Sequence, residues 1–291
     1  MSAKHPIISV TGSSGAGTTS VRQTFENIFR REHISAAFIE GDAFHRYGRA
    51  EMEQKSVEAR AQGNLHFSHF GEEANLLAEL EDVFRNYAEN GRGRTRHYIH
   101  DEHDAAIHNA PVGAFTEWVD FPRGTDLLFY EGLHGAAVTP NVNIAQHADL
   151  KIGVVPVINL EWIQKLIRDK SIRGHSHEES VEAILTRIPD YVNYICPQFS
   201  DTDINFQRVP TVDTSNPFVA RWIPTADESM VVIRFRDPRG IDFQYLLSMI
   251  PGSFMSRANS IVIPGAKLDL GMQLILTPHI LKLVERRRRA S

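Results

Sequence analysis

Cysteine is nearly missing from this sequence: Cys196 stands alone among 291 residues, which excludes an intrachain disulfide, a four-cysteine zinc site and a CxxC redox pair. A reduced, cytoplasmic protein is the expectation that follows. Long apolar runs are missing too. The longest, over 150–157, is already interrupted by Lys151 and Pro156, so no membrane span is expected. The first ten residues carry no long apolar h-region, and no signal peptide is expected. Positive charge is not in excess: 31 Lys and Arg against 36 Asp and Glu give a net of −5. That balance argues against broad coating of nucleic acid or of an anionic membrane, so an anionic ligand needs a local cluster of cations. There is no internal repeat, no Pro/Ser/Gly linker and no break in composition. Length alone suggests two domains, but the unbroken composition favours one domain over 1–291 with insertions.

What is present reads as an α/β protein. Hydrophobic residues make up 42% and charged residues 23%, enough apolar material for a substantial core. Ile7-Ile8-Ser9-Val10 is a short β-branched run, followed by a glycine-rich segment and then Val21, Phe25, Ile28 and Phe29 at helical spacing. Ala36-Ala37-Phe38-Ile39 gives a second strand, so the first forty residues read β-loop-α-β. Further strands are expected at Leu127-Leu128-Phe129-Tyr130, over 150–157 and at Met230-Val231-Val232-Ile233, with helices over 72–87 and 160–172. Continuous apolar strands alternating with helices point to a mainly parallel sheet flanked by helices, the three-layer P-loop type. The stretch 89–124, with Gly91-Arg92-Gly93-Arg94 and Pro111, reads as an excursion from the sheet.

The glycine-rich segment Gly12-Ser13-Ser14-Gly15-Ala16-Gly17-Thr18-Thr19, continued by Ser20, lies between a strand and a helix, where a G-x-x-x-x-G-K-[ST] phosphate cradle belongs. Gly12, Gly17 and Thr19 match. Backbone N–H groups and the helix N-terminus favour phosphate, and the Thr19 hydroxyl can reach Mg2+. Thr18 stands where the lysine should be. A plain glycine-rich turn would share these features, and a dinucleotide fingerprint starting at Gly15 fails because Ser20 replaces its last glycine.

Two carboxylates follow apolar strands, at the end where parallel sheets bind ligands: Asp42 and Glu131. Leu127-Leu128-Phe129-Tyr130-Glu131 has the form of a Walker-B strand whose acid coordinates Mg2+. Asp42 is placed to accept a proton from an attacking hydroxyl. The missing loop cation has a candidate substitute. Lys165, Arg168, Lys170 and Arg173 are opposed only by Asp169, and Lys165 and Arg168 share a helical face. Phosphoryl transfer needs cations around the transferred group, and Lys165 is expected to supply that charge from across the site.

Arg168-Asp169-Lys170-Ser171-Ile172-Arg173-Gly174 resembles the R-D-x-x-x-R-G lid of the phosphoribulokinase/uridine kinase group of P-loop kinases. Four further segments resemble the bacterial phosphoribulokinases of that group: Glu40-Gly41-Asp42-Ala43-Phe44-His45-Arg46, Tyr130-Glu131-Gly132-Leu133-His134-Gly135, Pro156-Val157-Ile158-Asn159-Leu160-Glu161-Trp162 and Asp213-Thr214-Ser215-Asn216-Pro217-Phe218. The absent loop lysine also fits the bacterial members. The resemblance implies transfer of the γ-phosphoryl group of MgATP to the C1 hydroxyl of D-ribulose 5-phosphate, for carbon fixation in the Calvin cycle. It makes Asp42 the general base, Glu131 the magnesium-associated acid and Asp169 a second acid near metal or nucleotide. Lys165 stabilises the transferring phosphoryl group, and the lid spans about 159–176. His45, Arg49, Arg168 and Arg173 hold the sugar phosphate, with Tyr98 and His100 touching the sugar.

The same resemblance implies a homo-oligomer, typically an octamer, activated by NADH and inhibited by AMP, with Arg234 or Arg257 in an effector site. Cys196 alone cannot reproduce the disulfide switch of chloroplast relatives. His97, His100 and His103 form H-x-x-H-x-x-H, but offsets of 3 and 6 residues fall at about 300° and 240° around a helix, so zinc is not expected. Arg286, Arg287, Arg288 and Arg289 suit the negative end of a helix and solvent. A kinase of another acceptor, such as uridine, and a non-catalytic nucleotide-binding subunit are the competing readings. A GTPase switch is disfavoured because no [NT]-K-x-D motif occurs.

Overall fold

The structure, a computed structural model, describes residues 4–13, 18–172 and 176–290. In chain order its strands are β1 (Ile7–Thr11), β2 (Ala36–Glu40), β3 (Arg94–Thr95), β4 (Val119–Asp120), β5 (Leu127–Gly132), β6 (Leu150–Val155), β7 (Ile204–Pro210), β8 (Ser229–Phe235), β9 (Phe254–Arg257) and β10 (Ser260–Pro264). Its helices are α1 (Thr18–Arg31), α2 (Arg49–Ala61), α3 (Leu77–Asn90), α4 (Glu102–His108), α5 (Ile158–Ile172), α6 (His177–Asp190), α7 (Gln198–Asp201), α8 (Phe243–Met249) and α9 (Leu268–Ala290). The main sheet runs β2-β5-β1-β6-β7-β8-β10-β9. The first five of these strands are parallel, and β8, β10 and β9 extend them antiparallel.

The apolar strands are continuous because both faces are buried. Along β5, Leu127 and Phe129 enter one core while Leu128 and Tyr130 enter the other, following the two-residue period of a strand. The first core is closed by Val21, Phe25, Ile28 and Phe29 of α1 and by Met272, Ile275, Leu276 and Ile280 of α9. Phe129 lies at its centre, 4.8 Å from Phe25, 5.7 Å from Phe29 and 5.6 Å from Phe38 between ring centroids. The second core is closed by Leu77, Leu80, Val83, Phe84 and Tyr87 of α3. The α3 helix stops at Gly91, whose φ of 68° is the left-handed conformation that glycine adopts without a Cβ penalty.

Several local expectations shift. The helix expected over 72–87 is a single 3-10 turn, Glu72–Ala74, followed by a break at Asn75 and Leu76 before α3 begins. The strand expected over 150–157 ends at Val155, ahead of Pro156, which has no N–H for the ladder. The excursion at 89–124 contains the β3–β4 ribbon and α4, the latter capped by Asp101, whose side chain accepts from His103 N and Asp104 N. The expectation that the C-terminal arginines face solvent holds only in part. Arg286 pairs with Asp149, whose side chain is wholly buried and also accepts from Ile7 N at 3.0 Å, and Arg287 pairs with Asp126 at 3.0 Å. These two arginines fasten α9 to the amino ends of β1, β5 and β6. Among the described residues no helix is long and apolar enough to cross a membrane.

Candidate active site

Strand register fixes the site's frame. Glu131 on β5 lies opposite Val10 of β1 and opposite Glu40 of β2, so the ends of three neighbouring parallel strands open on one edge. The chain leaving β1 turns at Gly12, whose N–H donates to Gly132 O at 3.1 Å. Gly132 and Gly41 touch back to back: a Cβ on Gly132 would stand 2.6 Å from Gly41 Cα, closer than real Cβ contacts come. Only glycine at both places lets the segments after β2 and β5 meet, and that meeting brings the turn carrying Asp42 against the end of β5. Below them Gln198 braces β1: its Oε1 lies 3.0 Å from the Thr11 hydroxyl and 3.0 Å from Ala136 N, while its amide donates to Leu133 O and Tyr194 O.

Asp42 lies in the 3-10 turn Gly41–Phe44 that follows β2. Its Oδ1 is 3.1 Å from His45 Nε2 and its Oδ2 is 3.4 Å from His100 Nε2, with the Asp42 side chain 38% exposed. Burial alone would raise this carboxyl, but the His45 hydrogen bond and the charges of His45, His100 and His69 outweigh it and hold Asp42 well below the ordinary carboxylate range. For His45, burial disfavours the charged ring, and the Asp42 partner overcomes that and pushes it up. His69, its ring 4.3 Å from that of His45, is driven the other way, to about 3, by burial and by the neighbouring His45. His134, fully enclosed with Nε2 2.9 Å from Phe70 O, is pushed down to about 4 by burial. The site thus pairs an Asp42 carboxyl pushed down with a His45 ring pushed up, while burial pushes His69 and His134 down.

Arg96, which sequence reasoning missed, braces this turn from behind. Its guanidinium donates to Ala43 O at 2.8 Å and to His45 O at 2.7 Å, and it lies 3.6 Å from the Phe115 ring centroid and 4.7 Å from that of Trp118. Tyr98 stands between the rings of His100 and Phe115, at 4.9 Å and 5.3 Å. Arg49 opens α2 on the exposed rim, and its Nη2 donates to His100 O at 3.1 Å.

Lys165, Arg168 and Asp169 form a second group on α5. Lys165 Nζ binds Asp169 Oδ2, and Arg168 Nε lies 3.8 Å from Asp169 Oδ1; the Asp169 side chain is only 4% exposed. Burial pulls the Lys165 ammonium down despite its Asp169 partner, with Arg187 and Arg168 adding to the effect. Glu161, one turn earlier, is pushed up by burial and lies against the hydroxyls of Ser13 and Tyr191. Arg187 on α6 connects the two groups, because its charge reaches both Lys165 and His69. The α5–α6 pair also reaches toward Asp42 through Asp190, which accepts from Ser68 at 2.8 Å, and through the Tyr191 ring, 5.6 Å from Phe70.

The structure therefore places Asp42, His45, Tyr98, His100 and Arg49 together, and Lys165, Arg168 and Asp169 together on α5. Of the expected phosphate loop, Gly12 and Ser13 are buried at the end of β1, and Thr18, Thr19 and Ser20 form the first turn of α1. Ser14, Gly15, Ala16 and Gly17 lie outside the described residues, as does Arg173, with Gly174 and His175, inside the expected lid. The loop and its partners fit a nucleotide with Mg2+. The acid on hand for a metal, Glu131, with Asp169 as a second acid near metal or nucleotide, is a hard oxygen donor. Among the described residues no group of three or more His, Cys, Asp or Glu converges as a cage. Mg2+ in phosphoryl-transfer sites uses one or two carboxylates together with substrate phosphates, which this arrangement can provide.

Comparison with known proteins agrees over the whole chain. The Phosphoribulokinase / Uridine kinase family matches residues 7–215. A phosphoribulokinase of Nitrobacter vulgaris is 71% identical over 287 residues, covering 99% of each chain. The chromosomal phosphoribulokinase of Cupriavidus necator is 65% identical over 291 residues, covering 100% of both. Among solved structures, phosphoribulokinase from Rhodobacter spheroides superposes with a TM-score of 0.92 at 62% identity, over 99% of this chain and 100% of that one.

Proposed function

The chain belongs to the phosphoribulokinase/uridine kinase family, and on that premise we propose that it transfers the γ-phosphoryl group of MgATP to the C1 hydroxyl of D-ribulose 5-phosphate, giving ribulose 1,5-bisphosphate. The observation that carries this reading is the Asp42 carboxylate, held ionised in the turn after β2 in a chain 71% identical to a phosphoribulokinase over nearly its full length. Asp42 accepts the hydroxyl proton. Its Oδ1 is already engaged by His45, which leaves Oδ2, on the accessible side toward His100, to take that proton.

Glu131 and Thr19 would hold Mg2+, which would supply positive charge to neutralise the nucleotide phosphates. Gly12, Ser13, Ser14, Gly15, Ala16, Gly17, Thr18, Thr19 and Ser20 cradle the phosphates with backbone N–H groups. Lys165 serves for the missing loop lysine: Asp169 steers its ammonium, and partial burial strengthens its field at the transferred group. Arg49, Arg168 and Arg173 grip the sugar phosphate, while Tyr98 and His100 border the sugar. His45 acts on the sugar end through Asp42, since its ring is enclosed and both nitrogens are committed. Residues 159–176 form the lid.

The same reading makes the protein a cytoplasmic homo-oligomer, an octamer, with NADH as activator. Arg234 on β8 and Arg257 on β9 both stand in register with Ser260 of β10, which places two exposed arginines on one face, suited to an anionic effector. An ADP-release assay with ribulose 5-phosphate, uridine or no acceptor, each with and without NADH, tests the proposal. Turnover is expected with ribulose 5-phosphate and raised by NADH. Uridine-dependent turnover would overturn it.

A further inference from the structure

His45 is gripped from two sides, and the grip facing away from Asp42 comes from Asn75, a buried residue in no motif. The backbone sets the two opposite each other: Arg46 N donates to Ala74 O and Leu76 N to Phe44 O, each at 2.8 Å, around a His45–Asn75 bridge. The amide of Asn75 has a determined orientation. Its Nδ2 donates to His69 O at 2.8 Å and to Gly71 O at 2.6 Å, so both amide hydrogens are spent on carbonyls and the other terminus must be the oxygen. That oxygen, Oδ1, lies 2.8 Å from His45 Nδ1. An amide oxygen only accepts, so Nδ1 carries a proton in every state of the ring. The proton that can leave is therefore the one on Nε2, which faces Asp42 at 3.1 Å.

We propose that Asn75 is a positioning residue of the phosphoryl-transfer site: by fixing a proton on His45 Nδ1 it makes Nε2 the titrating atom and keeps an N–H pointed at Asp42 while Asp42 is ionised. This rests on the reading of Asp42 as the base. Loss of the Nε2 proton turns a donor into a lone pair aimed at a carboxylate, and Asp42 then loses the contact that fixes Oδ1. The ring is faced by Asp42 and by His69, His134 and Tyr98, with Arg96 on its carbonyl and His100 on the far side of Asp42. Asp42 is the acid it touches, so the pair titrates together.

The test uses the full-length protein labelled with 15N-histidine, with His45 assigned by difference from His45→Gln. Both ring nitrogens of His45 are expected to be protonated near neutral pH, and the neutral ring at high pH is expected to be the Nδ1–H tautomer. An Nε2–H neutral ring would overturn the proposal, and this readout needs no variant at Asn75. In Asn75→Ala the alkaline limb of kcat/KM for ribulose 5-phosphate moves down by about one pH unit, roughly tenfold in activity on that limb, with KM for ATP unchanged. Asn75→Asp keeps an acceptor oxygen on Nδ1, and its limb lies at or above that of the unmodified protein. An unmoved limb in a folded Asn75→Ala would also overturn the proposal. The ring titration requires no turnover, so failure to phosphorylate ribulose 5-phosphate would refute the functional reading while leaving the tautomer result to be judged separately.

Discussion

Replacing Arg96 by methionine should loosen the turn that carries Asp42 without touching any residue expected to meet substrate. The guanidinium makes two hydrogen bonds to main-chain carbonyls, at 2.8 Å to Ala43 and 2.7 Å to His45, and lies on two aromatic faces. Hydrogen bonds from a charged donor contribute about 1.5–3 kcal/mol each, and a partly desolvated cation–π contact adds about 1 kcal/mol. Burial opposes this, since it lowers the Arg96 pKa by penalising the charge. Methionine keeps the packing of the stem between the rings, and a net loss of about 3 kcal/mol is expected for the turn. Local stability of that size is read by amide hydrogen exchange at residues 43–46, including the N–H of His45, which bonds Asp42 O at 3.2 Å. A loss of 3 kcal/mol corresponds to roughly 100-fold faster exchange there, with α1 and α9 amides unchanged. Activity should fall with it, kcat dropping and KM for ribulose 5-phosphate rising. Unchanged protection at 43–46 would refute the claim that Arg96 holds the turn.

Other expectations are independent of Arg96. Asp42→Ala should lose on the order of 10²-fold or more in kcat with little change in ATP affinity, and near-normal turnover would remove Asp42 from the mechanism. Lys165→Met should depress kcat more than it weakens nucleotide binding, measured by steady-state kinetics against equilibrium titration; an effect on KM alone would assign it to ordinary binding. Gly132→Ala puts a Cβ 2.6 Å from Gly41 Cα, and a cost of about 1–3 kcal/mol in denaturant unfolding is expected. The His45–Asp42 pair gives stability a pH window. Asp42, depressed, contributes above its unfolded value near 3.8 and loses that contribution as pH falls through the folded value; His45, raised, contributes below 6.5 and loses it as pH rises. The stability gap between the protein and His45→Gln should therefore be widest between pH 4 and 6.5, as followed by urea unfolding across pH. A flat gap would contradict the charged pair.

Much of the parallel half could be read from the chain because its signals are local. Strands buried on both faces are continuous apolar runs, and Asp42 and Glu131 follow such runs directly. The antiparallel half left weaker marks: β7 mixes Asn205, Gln207 and Arg208 into its apolar positions, and β9 is only Phe-Met-Ser-Arg. The α2 helix went unseen for a related reason, since Met52 is its only buried residue and its apolar stripe is almost absent. Asn75 and Arg96 were illegible for a different cause. Arg96 acts through main-chain carbonyls some 50 residues away and Asn75 through the His45 ring some 30 residues away, and the sequence holds no record of which distant atom a side chain will meet. His45, which the resemblance makes a holder of the sugar phosphate, is buried with its ring nitrogens facing Asp42 and Asn75, a pairing that the sequence does not record. Arg286 and Arg287 differ from their expected solvent role because their carboxylate partners lie on distant strand starts.

The anchoring of α9 sets an order on how the molecule can be made. Side chains of β1, the strand that leads into the phosphate loop, share one core with residues of α9, and Arg286 of α9 pairs with Asp149, which accepts from the N–H of Ile7 at the base of β1. A ribosome delivers β1 first and α9 some 260 residues later. Until then the nascent chain carries an apolar strand whose core lacks its α9 side chains. Completion of that core thus waits on α9, and a chain that stops before residue 268 lacks the Met272, Ile275, Leu276, Ile280 and Val284 side chains that close it.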